Sequence, residues 1–302
     1  MYLDGGEVRP SFRRLARDGV KGFWALGDQQ VFYSQNGIDW TDFSLNLREQ
    51  GSFTAYSVLN ALGNVFLFCR NRHGVFAYTL HNREWVPNSE IEVDSSLVAC
   101  SVSDELYISG SLDSCAFVSR STDGAQSWRK TILDGEGVPV SITMSSLNAG
   151  TCCLWQSYDG PELRLDDRSS LYFTSDSGAN WREVATASTM VLGVAAAKQD
   201  GLLLGGSNGQ LLLFDLRMGI RTIRFNQSDV VAVDVFEDAY LAVTETQESP
   251  GTHSILFSRD GMKWSEEELD FQGRINGAIL LSPLDAVIST TTSLYHCSRL
   301  SP

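Results

Sequence analysis

Histidine is scarce in this chain, 4 residues of 302, and proline is not much commoner at 7. His73, His81, His253 and His296 share no ligand spacing on one element, and no C-x-x-C or H-E-x-x-H occurs, so no metal or other cofactor is expected. There is also no G-x-S-x-G elbow and no P-loop; the glycines from Gly201 to Gly209 flank apolar runs and precede no helix. No apolar run reaches the roughly 20 residues that span a bilayer, which excludes membrane insertion by a helix. The first ten residues lack the basic start and apolar stretch of a secretory signal, so a cytoplasmic protein is the expectation. Positive charge is short as well: 23 Lys and Arg face 37 Asp and Glu, for a net charge of −14 and a pI near 4.7. Such a balance disfavours nucleic acid and anionic membrane as partners. Helical periodicity and low-complexity linkers are nearly absent, and residues 1–302 read as a single domain.

What the chain does contain is a repeated turn. It reads Ser34-x-Asn36-Gly37-x-x-Trp40, Ser121-x-Asp123-Gly124-x-x-x-Trp128, Thr174-x-Asp176-x-Gly178-x-x-Trp181 and Ser258-x-Asp260-Gly261-x-x-Trp264. The Asp or Asn side chain can accept hydrogen bonds from backbone N–H groups just ahead, and glycine supplies the positive φ of the reversal. Each Trp is then placed to plug its hairpin against the core. Short apolar runs precede the turns, as in Val31-Phe32-Tyr33, Leu171-Tyr172-Phe173 and Ile255-Leu256-Phe257, and read as buried strands. A degenerate copy runs from Phe76 through Asn82 to Trp85 without the glycine.

Trp40, Trp85, Trp128 and Trp181 are spaced by 45, 43 and 53 residues, and 83 separate Trp181 from Trp264. The last interval is two periods of ~42, the repeat length of a four-stranded propeller blade. A decayed copy is expected near residue 222, where two apolar strands flank Ser207-Asn208-Gly209 and Arg221 to Phe225 forms an outer strand. Ile275 to Leu281, Ala286 to Ser289 and Ser293 to Cys297 supply three strands of a final blade. The pattern predicts an all-β, seven-bladed β-propeller of four-stranded antiparallel blades, with six blades as the alternative. An N-terminal strand is expected to close the C-terminal blade and so to remove an exposed edge.

The turns resemble the Asp-box, or BNR, repeats of sialidase-like propellers and of the propeller that assists photosystem II assembly. Thr174 to Trp181 matches that pattern most closely; Ser121 to Trp128 has Ala125 at the glycine position, and the copies at Ser34 and Ser258 are one residue shorter. The resemblance spans about residues 9–298 as an architecture. It implies that the boxes sit between the third and fourth strands of a blade and are structural, so Ser34, Asn36, Trp40, Ser121, Asp123, Trp128, Thr174, Asp176, Gly178, Trp181, Ser258, Asp260 and Trp264 are assigned to scaffolding. No catalytic residue is assigned. The sialidase-type arginine motif near the N-terminus is not matched by Arg9-Pro10 or by Phe12-Arg13-Arg14-Leu15, although Arg224 and Arg274 could supply later arginines.

Function is therefore expected at the opposite ends of the blades, in long loops on a rigid frame. Two stand out: Gln156 to Arg168, which accounts for the 53-residue spacing, and Glu245 to His253. Tyr158, Arg164, Arg168 and His253 are the candidate partner contacts; Asp159, Glu162, Asp166 and Asp167 could alternatively hold a divalent cation. Arg9, Arg13, Arg14 and Arg17 form the one dense basic cluster and read as strand-face charges and inter-blade ion pairs. Cys69, Cys100, Cys115 and Cys297 sit singly in apolar strands, and Cys152 and Cys153 should point to opposite faces of one strand, so free thiols in a reducing compartment are expected. The resulting expectation is a non-catalytic interaction or assembly scaffold for a protein or peptide, as a monomer or within a hetero-complex. A sialidase-like glycoside hydrolase or carbohydrate-binding propeller is the alternative.

Overall fold

The computed structural model describes residues 12–17, 22–94, 97–144, 146–156, 168–187, 191–197, 201–215, 219–225, 228–246, 252–270 and 272–298. They form a seven-bladed β-propeller of antiparallel up-and-down sheets. Blade 1 comprises β1 (Phe12–Arg17), β2 (Phe23–Gly27), β3 (Gln30–Ser34) and the two-residue β4 (Thr41–Asp42). One short helix, α1 (Leu45–Glu49), leads into blade 2, made of β5 (Phe53–Ala61), β6 (Asn64–Asn71), β7 (Gly74–His81) and β8 (Glu84–Ile91). Blade 3 is β9 (Leu97–Val102), β10 (Glu105–Leu112), β11 (Cys115–Ser121) and β12 (Arg129–Glu136); blade 4 is β13 (Val138–Met144), β14 (Gly150–Gln156), β15 (Arg168–Thr174) and β16 (Arg182–Ala187). Blade 5 follows as β17 (Val191–Ala197), β18 (Gly201–Gly206), β19 (Gln210–Asp215) and β20 (Gly219–Arg224), and blade 6 as β21 (Asp229–Phe236), β22 (Ala239–Glu245), β23 (Thr252–Ser258) and β24 (Ser265–Asp270). Blade 7 has three strands among the described residues: β25 (Ile275–Ser282), β26 (Asp285–Thr290) and β27 (Leu294–Ser298). The expected closing strand at residues 1–8 lies outside the described residues.

The blades fall into two compact units, one of Phe43–Val191 and one of the segments before and after it. In the Phe43–Val191 unit, the first strands β5, β9 and β13 lie side by side, so blade 3 is covered on both faces. This explains why β10 is buried along most of its length, while in the outer β8 only Trp85 and Ile91 are buried. In the other unit β21 packs beside β25 and β25 beside β1, and β18 is buried throughout. A fully buried leucine such as Leu204 contributes roughly 1.5–3 kcal/mol. Five first strands carry a register shift near their start, at Phe12/Arg14, Ala55/Ser57, Pro139/Ser141, Val230/Ala232 and Ile275/Gly277. A bulge there adds twist to the strand.

The seven-blade expectation holds, and blade 5 occupies the interval where no tryptophan marks a copy. Its Ser207-Asn208-Gly209 turn joins β18 to β19, the end opposite the box position, and the β19–β20 connection lies outside the described residues. Trp85 differs from the other tryptophans. The β7–β8 connection is a two-residue turn with positive φ at Asn82 (49°) and Arg83 (68°). Trp85 follows inside β8, where its indole N–H donates to the Phe43 carbonyl at 2.9 Å and its backbone pairs with the Asn46 side chain of α1. It anchors the incoming segment. No helix among the described residues is long and apolar enough to cross a membrane.

Candidate functional site

The four turns sit between the third and fourth strands of blades 1, 3, 4 and 6. In blade 6 the Ser258 hydroxyl donates to Asp260 Oδ1 (3.1 Å) and accepts from the Gly261 N–H (2.9 Å); Asp260 Oδ1 then accepts from the N–H groups of Met262 and Lys263, both at 2.8 Å. Blade 4 repeats the scheme, with Thr174 Oγ1 accepting from Gly178 N (3.0 Å) and Asp176 Oδ1 from Asn180 N (2.9 Å). These bonds hold the carboxylates below their ordinary pKa. The Ser127 hydroxyl and N–H, with the Ser121 hydroxyl, bring Asp123 down to about 2; Asn180 lowers Asp176, and the N–H groups of Lys263 and Met262 lower Asp260. An acid so committed to backbone cannot act as a general acid near neutral pH.

Each turn also closes a seam with the preceding blade. A Cβ on Gly37 would meet Leu281 and Val287 of blade 7, one on Gly124 would meet Leu62 and Phe66 of blade 2, and one on Gly178 would lie 3.2 Å from Tyr107 of blade 3. The tryptophans follow. Trp128 meets Phe68 of blade 2 edge-on at 6.1 Å, and Trp264 is wedged between Phe225 of blade 5 and Tyr240 of its own blade at 6.0 and 6.5 Å. Trp40, Trp181 and Trp264 donate their indole N–H to the carbonyl of the turn glycine at 3.1–3.2 Å. Trp128 donates instead to Ser89 Oγ of blade 2 at 3.1 Å; its turn has the same length as that of blade 4, with Ala125, at φ 64°, in the place of Gly178.

Arg17 is the basic residue that the structure commits most fully. Its guanidinium donates to the carbonyls of Leu280 (2.9 Å) and Val235 (3.2 Å), pairs with Asp234 and lies 4.7 Å from the Phe236 ring, so β1, β21 and β25 meet on one side chain. Asp234 also accepts from the Leu280 N–H at 2.7 Å. A second charged set lies in blade 3. The Tyr107 hydroxyl donates to Glu105 Oε2 at 2.6 Å, and Arg120 Nε donates to the same oxygen at 2.8 Å. Tyr107 is fully buried, and burial together with Glu105 pushes its hydroxyl well above the usual tyrosine value. This Tyr–Glu pair is a strut rather than a nucleophile with its base. Arg224, on the outer strand β20, and Arg274, before β25, are exposed.

Of the candidate contacts, Tyr158 and Arg164 lie outside the described residues, as do Asp159, Glu162, Asp166 and Asp167. Arg168 is exposed at the root of that loop, opening β15 opposite Gln156. His253 is corrected: it is 1% exposed within β23, where its Nε2 lies 3.2 Å from the Gly273 carbonyl. Strand alternation turns it inward beside Glu245, its cross-strand neighbour. Burial raises the Glu245 pKa, opposed by the charges of His253 and Arg274. The Asn208 N–H donates to Asp229 Oδ1 at 2.8 Å, so blades 5 and 6 are tied together by a partly buried hydrogen bond that the sequence pattern did not reveal. All six cysteines are free thiols, with Cys69, Cys152 and Cys153 buried. Among the described residues no group of His, Cys, Asp and Glu could hold a metal ion.

Two clefts open at the ends of the blades that carry these turns. One, of about 360 Å³, lies between blades 7 and 1 and is lined by Phe23, Gln35, Asn36, Leu281, Asp285 and His296. The other, of about 480 Å³, lies between blades 2 and 3. Its floor is Phe66, its apolar rims are Leu62 and Val86, and Asn88, Asp123 and Gln126 supply polar groups.

No protein-family model matches the chain, and no curated protein matches it in sequence. Solved structures match it in shape. YCF48 from Cyanidioschyzon merolae aligns over 96% of each chain at 10% identity and a TM-score of 0.68. The GH74 enzyme of Niastella koreensis aligns over 96% of this chain and 52% of its own at 10% identity and 0.71, and the WD40 repeats of RRP9 over 99% and 97% at 9% identity and 0.71. Likenesses at this level of identity carry the fold alone, and an enzyme shares it with a repeat module.

Proposed function

We propose that the chain is a non-catalytic interaction scaffold of the Asp-box, or BNR, propeller type, which engages a protein or peptide through the blade ends opposite the boxes. The observation that carries this reading is the use made of its acids. Asp123, Asp176 and Asp260 are each consumed in capping a turn, and Glu105 with Tyr107 and Arg120 forms a partly buried strut. A sialidase-like site needs several arginines converging on a substrate carboxylate and a tyrosine that can lose its proton. Tyr107 has the opposite properties, being buried and raised in pKa. The long connections at 157–167 and 246–251 leave one kind of blade end, and the exposed Arg168 marks the root of the first. Tyr158, Arg164 and Arg168 are the proposed contacts, and His253 is a buried support for the second loop. Six free thiols support a reducing, cytoplasmic setting.

The test is affinity capture from the native source with the full chain and with a variant whose residues 157–167 are replaced by a Gly-Ser linker. A partner retained by the former and lost by the latter is expected. Turnover of a fluorogenic sialoside that is abolished by Arg224→Ala or Arg274→Ala would overturn the scaffold reading.

A further inference from the structure

The cleft between blades 2 and 3 is rimmed by an apolar residue in an unfavourable backbone conformation, Leu62, which also faces the Gly124 turn across the seam. The β5–β6 hairpin turns on Leu62-Gly63, with φ of 54° and 69°. Two successive positive φ values suit Asn-Gly or Asp-Gly; a leucine in the left-handed region is disfavoured by the clash of its Cβ with its own backbone. Leu62 is the only large aliphatic residue with positive φ among the described residues. Its side chain is 41% exposed, and across the cleft Val86 is 47% exposed on the outer strand β8. The fold thus holds an apolar residue at a position that resists it, and leaves much of that residue in water. Strained positions of this kind concentrate at binding sites.

The rest of the lining is polar and has unused capacity. Asn88 Nδ2 donates to Thr79 Oγ1 and to the Gly124 carbonyl, which fixes its carboxamide; Asn88 Oδ1 and the Gln126 carboxamide have no partner among the described residues. One acceptor and one carboxamide on either side of an apolar trough match the N–H and C=O groups of an extended chain. The charge is one-sided: Asp123 borders the cleft, no Lys or Arg lines it, and the chain carries −14 overall. We propose that this cleft is a docking groove for an extended protein segment that inserts an apolar side chain between Leu62 and Val86 and sets a lysine or arginine beside Asp123. The proposal rests on the scaffold reading but not on the loops at the other ends of the blades.

The test is selection of a displayed random heptapeptide library on the immobilised full chain, with the Leu62→Asn chain as counter-target. Asparagine tolerates the left-handed region, so L62N removes the apolar rim while its melting temperature stays level or rises. Enriched sequences are expected to share an apolar residue next to Lys or Arg. A synthetic copy should bind the unaltered chain about ten-fold more tightly than L62N, and should weaken again with Gln126→Ala or when its basic residue becomes Glu. No enrichment over L62N, enrichment of sequences without the apolar–basic pair, or equal affinity for both chains would overturn the groove. The variant with 157–167 replaced should keep the peptide. Its loss there would also overturn the proposal, whereas a native partner lost on that replacement bears only on the loop face.

Discussion

Replacing Arg17 should destabilise the propeller more than any other single surface-reaching charge in its unit, and the deficit should depend on pH. Arg17→Ala removes the donors to the Leu280 and Val235 carbonyls and leaves Asp234 without its cation. The two side chains are 23% and 16% exposed, so the pair is largely desolvated. Breaking a buried pair by removing one partner costs about 3–5 kcal/mol, and residual exposure puts this one near the lower end, about 3 kcal/mol. At roughly 2–4 °C per kcal/mol for chains of somewhat smaller size, the thermal midpoint should fall by about 6–12 °C. Burial already raises the Asp234 pKa against the pull of Arg17, and without the guanidinium it must rise further. A carboxyl raised in the folded state takes up its proton there before it does in the unfolded chain. Its unfavourable contribution is therefore absent below the unfolded pKa and grows as pH rises through the folded one. The deficit of R17A should accordingly be smaller at pH 5 than at pH 8. Arg17→Lys keeps a charge but not a fork, cannot serve the acid and both carbonyls together, and should retain less than half of the effect. Urea unfolding at the two pH values measures all three. A loss below about 1 kcal/mol, or a deficit equal at pH 5 and pH 8, would refute the view that one side chain clamps three blades.

The boxes should be acid-sensitive in three copies and insensitive in the fourth. The stabilisation from Asp123, Asp176 and Asp260 is fully present above the ordinary carboxylate pKa and is lost as pH falls through their depressed values, near 2 for Asp123. A triple Asp→Asn variant should therefore show a shallower fall of its urea midpoint between pH 4 and pH 2 than the unaltered chain; parallel curves would count against the caps. Ser258→Ala should cost about 1–2 kcal/mol, because the buried Gly261 N–H loses its acceptor, and calorimetry would show it. Gly178→Ala adds a 3.2 Å contact with Tyr107 to a φ of 76°, whereas Gly63→Ala at φ 69° meets nothing within 4 Å. The first should lower the melting temperature more than the second, and equal losses would show that the seam yields.

The blade count was legible because each repeat carries its own turn chemistry and a Trp at a fixed distance. Even blade 5, without the Trp, kept strands whose apolar runs could be read directly. The role of the tryptophans was legible in type but not in direction: no local pattern says that Trp128 will reach Phe68 or that Trp264 will meet Phe225, since these are contacts between repeats. His253 was misplaced for a related reason. It lies at the edge of a polar stretch that looks like loop, yet β23 begins at Thr252 and alternation turns the imidazole inward. The cleft between blades 2 and 3 was not legible at all. Leu62 beside Gly63 looks like an ordinary strand end, and only its φ shows a leucine standing where asparagine would be at ease.

The first box has a chemical vulnerability that its geometry removes. Asn36-Gly37 is the dipeptide most prone to spontaneous deamidation in flexible chains, through attack of the glycine nitrogen on the asparagine carboxamide. Here Gly37 N donates to Ser34 Oγ at 2.8 Å, and Asn36 Oδ1 is held by the N–H groups of Ile38 and Asp39, both at 2.9 Å. The nucleophile and its target are each tied to other groups, so the ring that would release ammonia cannot close while the blade is folded. Chemical ageing at this site thus becomes a clock for unfolding, one that runs only in molecules whose first blade has opened.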